Sequence, residues 1–210
     1  MSSINDVVTK ATGQCAEANR LVQDSNALLE GAANGNGVAF QREHRDLIVD
    51  RAFMNVFKAL ESYLESVFIC YMMGEKGLNN NFVSRYVTPV NEEHAERLLR
   101  GKEQYIDFTN RSQIMKFAEN FFRDGGPFGF LDSVAQDFED MKKVRNEISH
   151  KSIKSRRDFE RLVRSKMAEM PDNITVSEFL MTTKPHSRMS FFEHYVDTVN
   201  AVINKLANPD

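Results

Sequence analysis

Apolar residues recur at steps of three and four along most of this chain, which is the period of amphipathic α-helices. The clearest case lies between about Gln41 and Met73, where ten apolar positions follow this spacing. The same spacing predicts further helices at about residues 3–30, 110–122, 131–150, 158–167 and 190–206, and a short one ending near Arg100. Helices therefore account for most of the predicted structure.

The segments between these helices are rich in residues that end helices. Residues 31–37 are Gly, Ala and Asn only, and a Gly-Gly-Pro sequence occupies 125–127. Such residues accept turn geometry or cannot continue a helix. Residues 174–183 could form a short strand or an irregular segment, and we assign them to neither. We predict an all-α bundle at residues 38–210, preceded by a helix and a linker at 1–37.

Composition indicates an ordinary globular protein, because apolar residues make up 41% of the chain and charged residues 27%. The two cysteines, Cys15 and Cys70, are far apart and form neither a disulfide framework nor a CxxC pair. The N-terminus lacks the basic and apolar regions of a secretory signal. The longest apolar run, Val67 to Met73, is far shorter than the ~20 residues of a membrane span. We therefore expect a cytoplasmic location and no membrane contact.

One predicted helix, at 131–150, carries an anomaly. Its apolar residues step by three and four from Leu131 to Met141, and this pattern makes position 145 the next core-facing position. That position is Arg145, which is costly in a core unless an acid, a phosphate or a polar cavity receives it. Further polar residues adjoin it at the helix end: Asn146, Ser149 and His150. Together they form a polar strip that would face a groove or a partner.

Residues 145–150 read Arg-Asn-Glu-Ile-Ser-His, which resembles the R-N-x-x-x-H form of the motif of HEPN domains. The surroundings resemble the RiboL-PSP-like branch of that family. They include a long helix with the stretch Leu-Glu-Ser-Tyr-Leu-Glu at 60–65, a middle helix, and a Gly-Pro-Phe loop at 126–128. The resemblance covers about residues 40–205. A chance R-N-x-x-x-H is expected only roughly 0.03 times in a chain of this composition.

The resemblance implies a HEPN-type bundle of four to five core helices, with the N-terminal helix as an addition. It also implies a homodimer whose two motifs share a cleft and cut RNA without a metal or other cofactor. Arg145, His150 and Asn146 would be the catalytic residues, and Ser149 and Glu61 would assist them. Attack by the 2′-hydroxyl would leave a 2′,3′-cyclic phosphate. Such a nuclease could be a toxin or defence effector, with an antitoxin or regulatory protein as a further partner.

Charge along the chain fits an RNA partner. The whole chain carries −3, yet ten basic and only three acidic residues lie between Lys142 and Lys166. A concentration of positive charge of this kind supplies the phosphate attraction on which nucleic-acid binding depends. The candidate RNA contacts directly after the motif are Lys151, Lys154, Arg156 and Arg157.

Each of these residues also has a structural interpretation. Arg145 could form an ion pair with Glu61 or Glu65, and His150 could be a cation at a helix C-terminus. The basic run could be a solvated helix face, and the whole domain could be a catalytically inactive HEPN bundle that binds RNA or protein. A second, looser Arg-to-His spacing at 188–194 lacks the polar residue after Arg, so we treat it as coincidence. No metal-ligand spacing such as HExxH occurs, and we predict no metal site.

Overall fold

The computed structural model describes residues 3–33, 40–101, 106–167 and 171–210, and these are mostly α-helical, with isolated bridges but no strand among them. The helices are α1 (Ile4–Ala33), α2 (Arg42–Met73), α3 (Glu92–Arg100), α4 (Arg111–Phe121), α5 (Ala135–His150), α6 (Ile153–Lys166), α7 (Val176–Met181) and α8 (Phe191–Ala207). The predicted all-α class is confirmed. None of these helices combines the length and the apolar character that crossing a bilayer requires.

Three helix boundaries differ from the prediction. The helix expected to start near residue 131 begins as a 3₁₀ segment, Arg123–Val134, and becomes α-helical only at Ala135. Helix α6 starts at Ile153 rather than near residue 158, because Ser152 and Ser155 form a capping box. The unassigned stretch at 174–183 contains α7, which Thr175 and Glu178 cap in the same way.

The predicted breaks between helices are largely confirmed. Asp124, Gly125 and Gly126 have φ values of 54°, 74° and 58°, a left-handed geometry that ends regular helix at the predicted position. The linker predicted at 31–37 is shorter than expected at its start, because α1 continues to Ala33. Its remaining residues lie outside the described part of the chain, and the division into 1–37 and 38–210 stays a prediction.

The chain divides into two compact units. The first comprises Met1–Gly13, Lys58–Phe138 and Val199–Asp210, and the second comprises Gln14–Phe57 and Glu139–Thr198. In the first unit, Phe68 lies at the centre of an aromatic cluster, with ring centroids 4.9 Å from Phe122 and 4.8 Å from Phe128. The Tyr63 hydroxyl donates to the carbonyl oxygen of Ile203 over 2.8 Å. Phe68, Phe122 and Phe128 are fully buried in the core of this unit.

The second unit has its own aromatic core. Phe179 stacks on Phe191 with centroids 4.4 Å apart and meets Phe159 edge-on at 5.7 Å. Phe53 on α2 contacts Tyr195 on α8 at 5.9 Å. Buried aromatic pairs of this kind fix the helices that carry them. The C-terminal end of α5, with residues 145–150, belongs to this unit.

Candidate active site

The predicted motif occupies the last two turns of α5, and the helix ends at its His150. Lys151 follows in the left-handed region with φ of 44°, and its backbone N–H donates to the carbonyl oxygen of Glu147. Ser152 then caps α6, so only two residues separate the two helices. The tight connection fixes where the motif lies relative to the basic helix α6.

The Arg145 side chain is half-buried rather than in the core, which corrects the sequence prediction. Val144 is the fully buried residue of this turn, because the buried face continues from Phe138 and Met141 in steps of three. The Arg145 guanidinium carbon lies 5.2 Å from the centroid of the Phe57 ring, and Nη1 donates to Asn146 Oδ1 over 3.0 Å. Cation–π stacking and this hydrogen bond together orient the guanidinium plane.

The remaining motif residues differ in their exposure. Asn146 is half-buried and engaged with Arg145, whereas Ser149 and His150 are exposed. Ser149 Oγ contacts Met54 Sδ at 3.9 Å, a weak interaction. Among the described residues the exposed His150 imidazole has no hydrogen-bond partner.

The structure separates the four predicted RNA contacts into two kinds. Lys151, Lys154 and Arg157 are exposed and form no ion pair with any described residue. Arg156 is half-buried: its Nε donates to Glu160 Oε1 over 2.9 Å, and its Nη1 donates to the carbonyl oxygen of Ile174 over 2.9 Å. Arg156 therefore holds α6 in place, and the three exposed cations are the ones a polyanion can reach.

Part of the basic run is neutralised within the fold. Asp140 is fully buried, and its carboxylate lies 2.6 Å from Lys166 Nζ and 3.4 Å from Lys143 Nζ. These two lysines are thus needed to balance a buried charge. The excess positive charge that remains is concentrated near the start of α6, next to the motif.

The predicted auxiliary residue Glu61 lies on α2 in the first unit and is half-buried. Its pairing with Arg145 stays a prediction. Glu65, the other acid considered for that pairing, lies 3.6 Å from Arg100 in the first unit.

Sequence reasoning missed Asp50. This residue lines a cavity in the second unit together with Ile148 and Lys151, which flank the last residues of the motif. The pKa of its carboxyl is raised to about 6, chiefly because burial disfavours the charged form and also because Asp46 is near, while Lys151 acts in the opposite direction. Asp46 and Asp50 are four residues apart on α2, which in the sequence resembles a solvated helix face.

No group of three or more side chains suited to holding a metal ion occurs among the described residues. The residues brought together at this end of α5 are Arg145, Asn146 and His150, with the exposed cations after them. Comparisons with models of known families, with curated proteins and with solved structures find no match to this chain.

Proposed function

We propose that this protein is a metal-independent endoribonuclease of the HEPN type. The observation that carries the proposal is the end of α5, where an oriented guanidinium and an exposed imidazole lie within two turns of one helix. The proposal extends to a toxin or defence role, in which an antitoxin or other regulatory protein would restrain the activity.

The residue types match the demands of RNA cleavage by the 2′-hydroxyl. The His150 imidazole takes the proton of the 2′-hydroxyl and then returns it to the departing 5′-oxygen, because an imidazole can both accept and release a proton. The new bond to phosphorus closes a 2′,3′-cyclic phosphate, and the bond to the 5′-oxygen breaks. Arg145 stabilises the extra negative charge on the phosphorus oxygens, since its guanidinium is permanently ionised and already oriented.

The positions of Asn146 and Phe57 support this role for Arg145. A flexible guanidinium would lose conformational entropy when it bound the transition state. The stacking on Phe57 and the hydrogen bond to Asn146 restrict the side chain before substrate arrives. Asn146 thus acts as a positioning residue in this proposal.

In this proposal the exposed cations Lys151, Lys154 and Arg157 bind RNA phosphates next to the cleaved bond. They begin one residue after His150 and continue along the first turns of α6. Their contribution would not depend on base sequence, because phosphates carry no sequence information.

The proposal includes a homodimer, in which a second copy lies against the end of α5. One aliphatic side chain next to this end, Ile153, is 83% exposed. Contact with a second copy would remove its apolar surface from water, which is favourable. In the proposed dimer this contact brings the two motifs into one cleft.

The test uses purified protein, transfer RNA or total RNA, and EDTA in the buffer. We expect the wild type to produce fragments with cyclic phosphate ends, and His150→Ala to produce none. His194→Ala is the matched control, because it removes the other histidine of an Arg-to-His spacing, and it should cleave normally. Equal cleavage by wild type and His150→Ala would exclude His150 as the catalyst. Binding of RNA by the wild type without cleavage would instead favour a binding module.

A further inference from the structure

A cavity of about 460 Å³ lies in the second unit, next to the residue that follows His150. Leu47, Ile148 and Val176 provide apolar surface in it, and Asp50 and Lys151 are among its polar lining residues. Its volume is within the range of ligand-binding pockets in general, and apolar walls with a few polar groups are typical of them.

Asp50 is a half-buried acid of this cavity, whereas another acid of its lining, Glu43, is exposed to water. The Oδ1 atom of Asp50 is sealed from solvent and accepts no hydrogen bond from any described residue. Two other acids that line the cavity are engaged: Asp46 accepts from Arg45 Nε over 3.0 Å, and Glu147 accepts from Ser155 Oγ over 2.7 Å. A buried oxygen without a donor costs free energy, so an entering group with N–H donors would be stabilised there.

We propose that this cavity receives a guanine base from the RNA, with the Asp50 carboxylate accepting hydrogen bonds from the base. The inference rests on the proposed function, because it places the RNA backbone at His150 and Lys151. A nucleotide whose phosphate meets Lys151 has its base within reach of a cavity that the same lysine lines. The apolar walls contact the faces of the base, and the carboxylate meets its edge.

The chemistry of the carboxylate selects guanine among the four bases. Guanine presents two adjacent N–H donors on its Watson–Crick edge, and a carboxylate offers two acceptors. Adenine and cytosine present one amino group beside an acceptor nitrogen, which the carboxylate repels. Uracil presents one N–H between two acceptor oxygens. The terminal torsion of Asp is broad, so the carboxyl can turn the buried Oδ1 toward the base.

The test measures binding separately from cleavage. The probes are short 2′-O-methyl uridine oligonucleotides with one central guanosine, adenosine or cytidine, which cannot be cut because the 2′-hydroxyl is blocked. We expect the wild type to bind the guanosine probe at least about tenfold more tightly than the others by fluorescence anisotropy, since a good bidentate contact discriminates to that extent. Equal affinity for the three probes, or binding of none, would overturn the proposal.

Two variants assign the preference to Asp50. Asp50→Asn replaces one acceptor by a donor and keeps the shape, so it should lose the guanosine preference and bind the adenosine and cytidine probes at least as tightly as the guanosine probe. Asp197→Asn makes the same change in charge at an exposed residue of α8 that does not line the cavity, and it should keep the guanosine preference. An unchanged preference in Asp50→Asn would contradict the proposal.

Failure of this inference is distinguishable from failure of the proposed function. Cleavage of RNA that depends on His150, together with equal affinity for all probes, would contradict the base pocket alone. Selective binding of the guanosine probe without cleavage of any RNA would contradict the nuclease and leave the pocket intact.

Discussion

Two regions of the second unit carry an arginine followed by a histidine, and the structure gives them different surroundings. At the end of α5, Arg145 is oriented by Phe57 and Asn146, and His150 is exposed without a hydrogen bond to any described residue. At the start of α8, Arg188 is exposed on a bend, and His194 is half-buried beside Lys184.

The difference lies in whether the two side chains could act together. The Lys184 ammonium lies 3.1 Å and 3.3 Å from the two ring nitrogens of His194. The ammonium is placed to donate a hydrogen bond to the unprotonated ring nitrogen, so the lone pair of the imidazole is occupied. The residue after Arg188 is Met189, whose thioether is only a weak acceptor for a guanidinium. Both regions thus carry an arginine followed five or six residues later by a histidine, and of the two only the end of α5 combines an oriented cation with an exposed imidazole.

The largest expected effect comes from replacing the two arginines by lysine. Arg145→Lys keeps the charge but loses the planar fork, and we expect RNA cleavage to fall by about 10²- to 10³-fold. Arg188→Lys should leave the cleavage rate unchanged. The measurement is the initial rate with one RNA substrate, and thermal melting checks that both variants fold. Equal losses of cleavage in the two variants would show that Arg145 contributes no more to the reaction than Arg188 does.

A smaller effect is expected from the residues that follow the two arginines. Asn146→Ala removes the acceptor for Arg145 Nη1, so cleavage should fall by about tenfold. The loss should appear in kcat with little change in KM, since the transition state is affected more than substrate binding. Asn146→Asp keeps an acceptor and should restore most of the rate. Met189→Ala is the matched change at the other arginine. A loss of cleavage in Met189→Ala as large as in Asn146→Ala would contradict the role of Asn146 in orienting Arg145.

A third comparison concerns charge. The double variant Lys154→Gln with Arg157→Gln should weaken binding of a 2′-O-methyl oligonucleotide by about tenfold at low salt. It should also reduce the slope of log affinity against log salt by about two, one for each lost phosphate contact. The double variant Lys184→Gln with Arg188→Gln makes the same change in net charge away from α6. If both doubles lower the slope equally, general charge rather than the surface of α6 attracts RNA.

Local signals in the sequence predicted most of the helices, because each has an apolar face and recognisable ends. The start of α6 and the short helix α7 were missed, although each begins with a Ser or Thr followed three residues later by a capping partner. Such short signals are weak beside the longer apolar periodicity. Tertiary packing stabilises the two helices in addition, because the buried ring of Phe159 on α6 contacts that of Phe179 on α7.

The candidate site was predicted in part. The hexapeptide identified Arg145, Asn146 and His150, but periodicity assigned Arg145 to a core position that Val144 occupies. The error arose because a step of three residues is less than one full helical turn, so the buried face moves gradually around the helix when apolar residues keep that spacing. Asp50 could not be predicted, because its character comes from a cavity formed by segments far apart in the chain. The second role of the basic run, in balancing buried Asp140, also depends on tertiary contacts.

The smallest expected effect separates the two regions by stability rather than activity. The pKa of Asp50 is raised from 3.8 to about 6, so the folded protein binds more protons than the unfolded chain between these values. The contribution of Asp50 to stability therefore falls as pH rises from about 4 to about 6, because ionisation of its carboxyl then opposes folding. Asp50→Asn removes this penalty. Water reaches part of the side chain and screens the effect, so the variant should gain only about 1 kcal/mol at pH 7 and nothing at pH 4. Asp197→Asn, an exposed change on α8 near His194, should show no such dependence on pH in urea unfolding. A gain for Asp50→Asn that is the same at both pH values would mean that the carboxyl beside Lys151 is fully hydrated, and a cavity able to desolvate a base would then be absent from this end of α5.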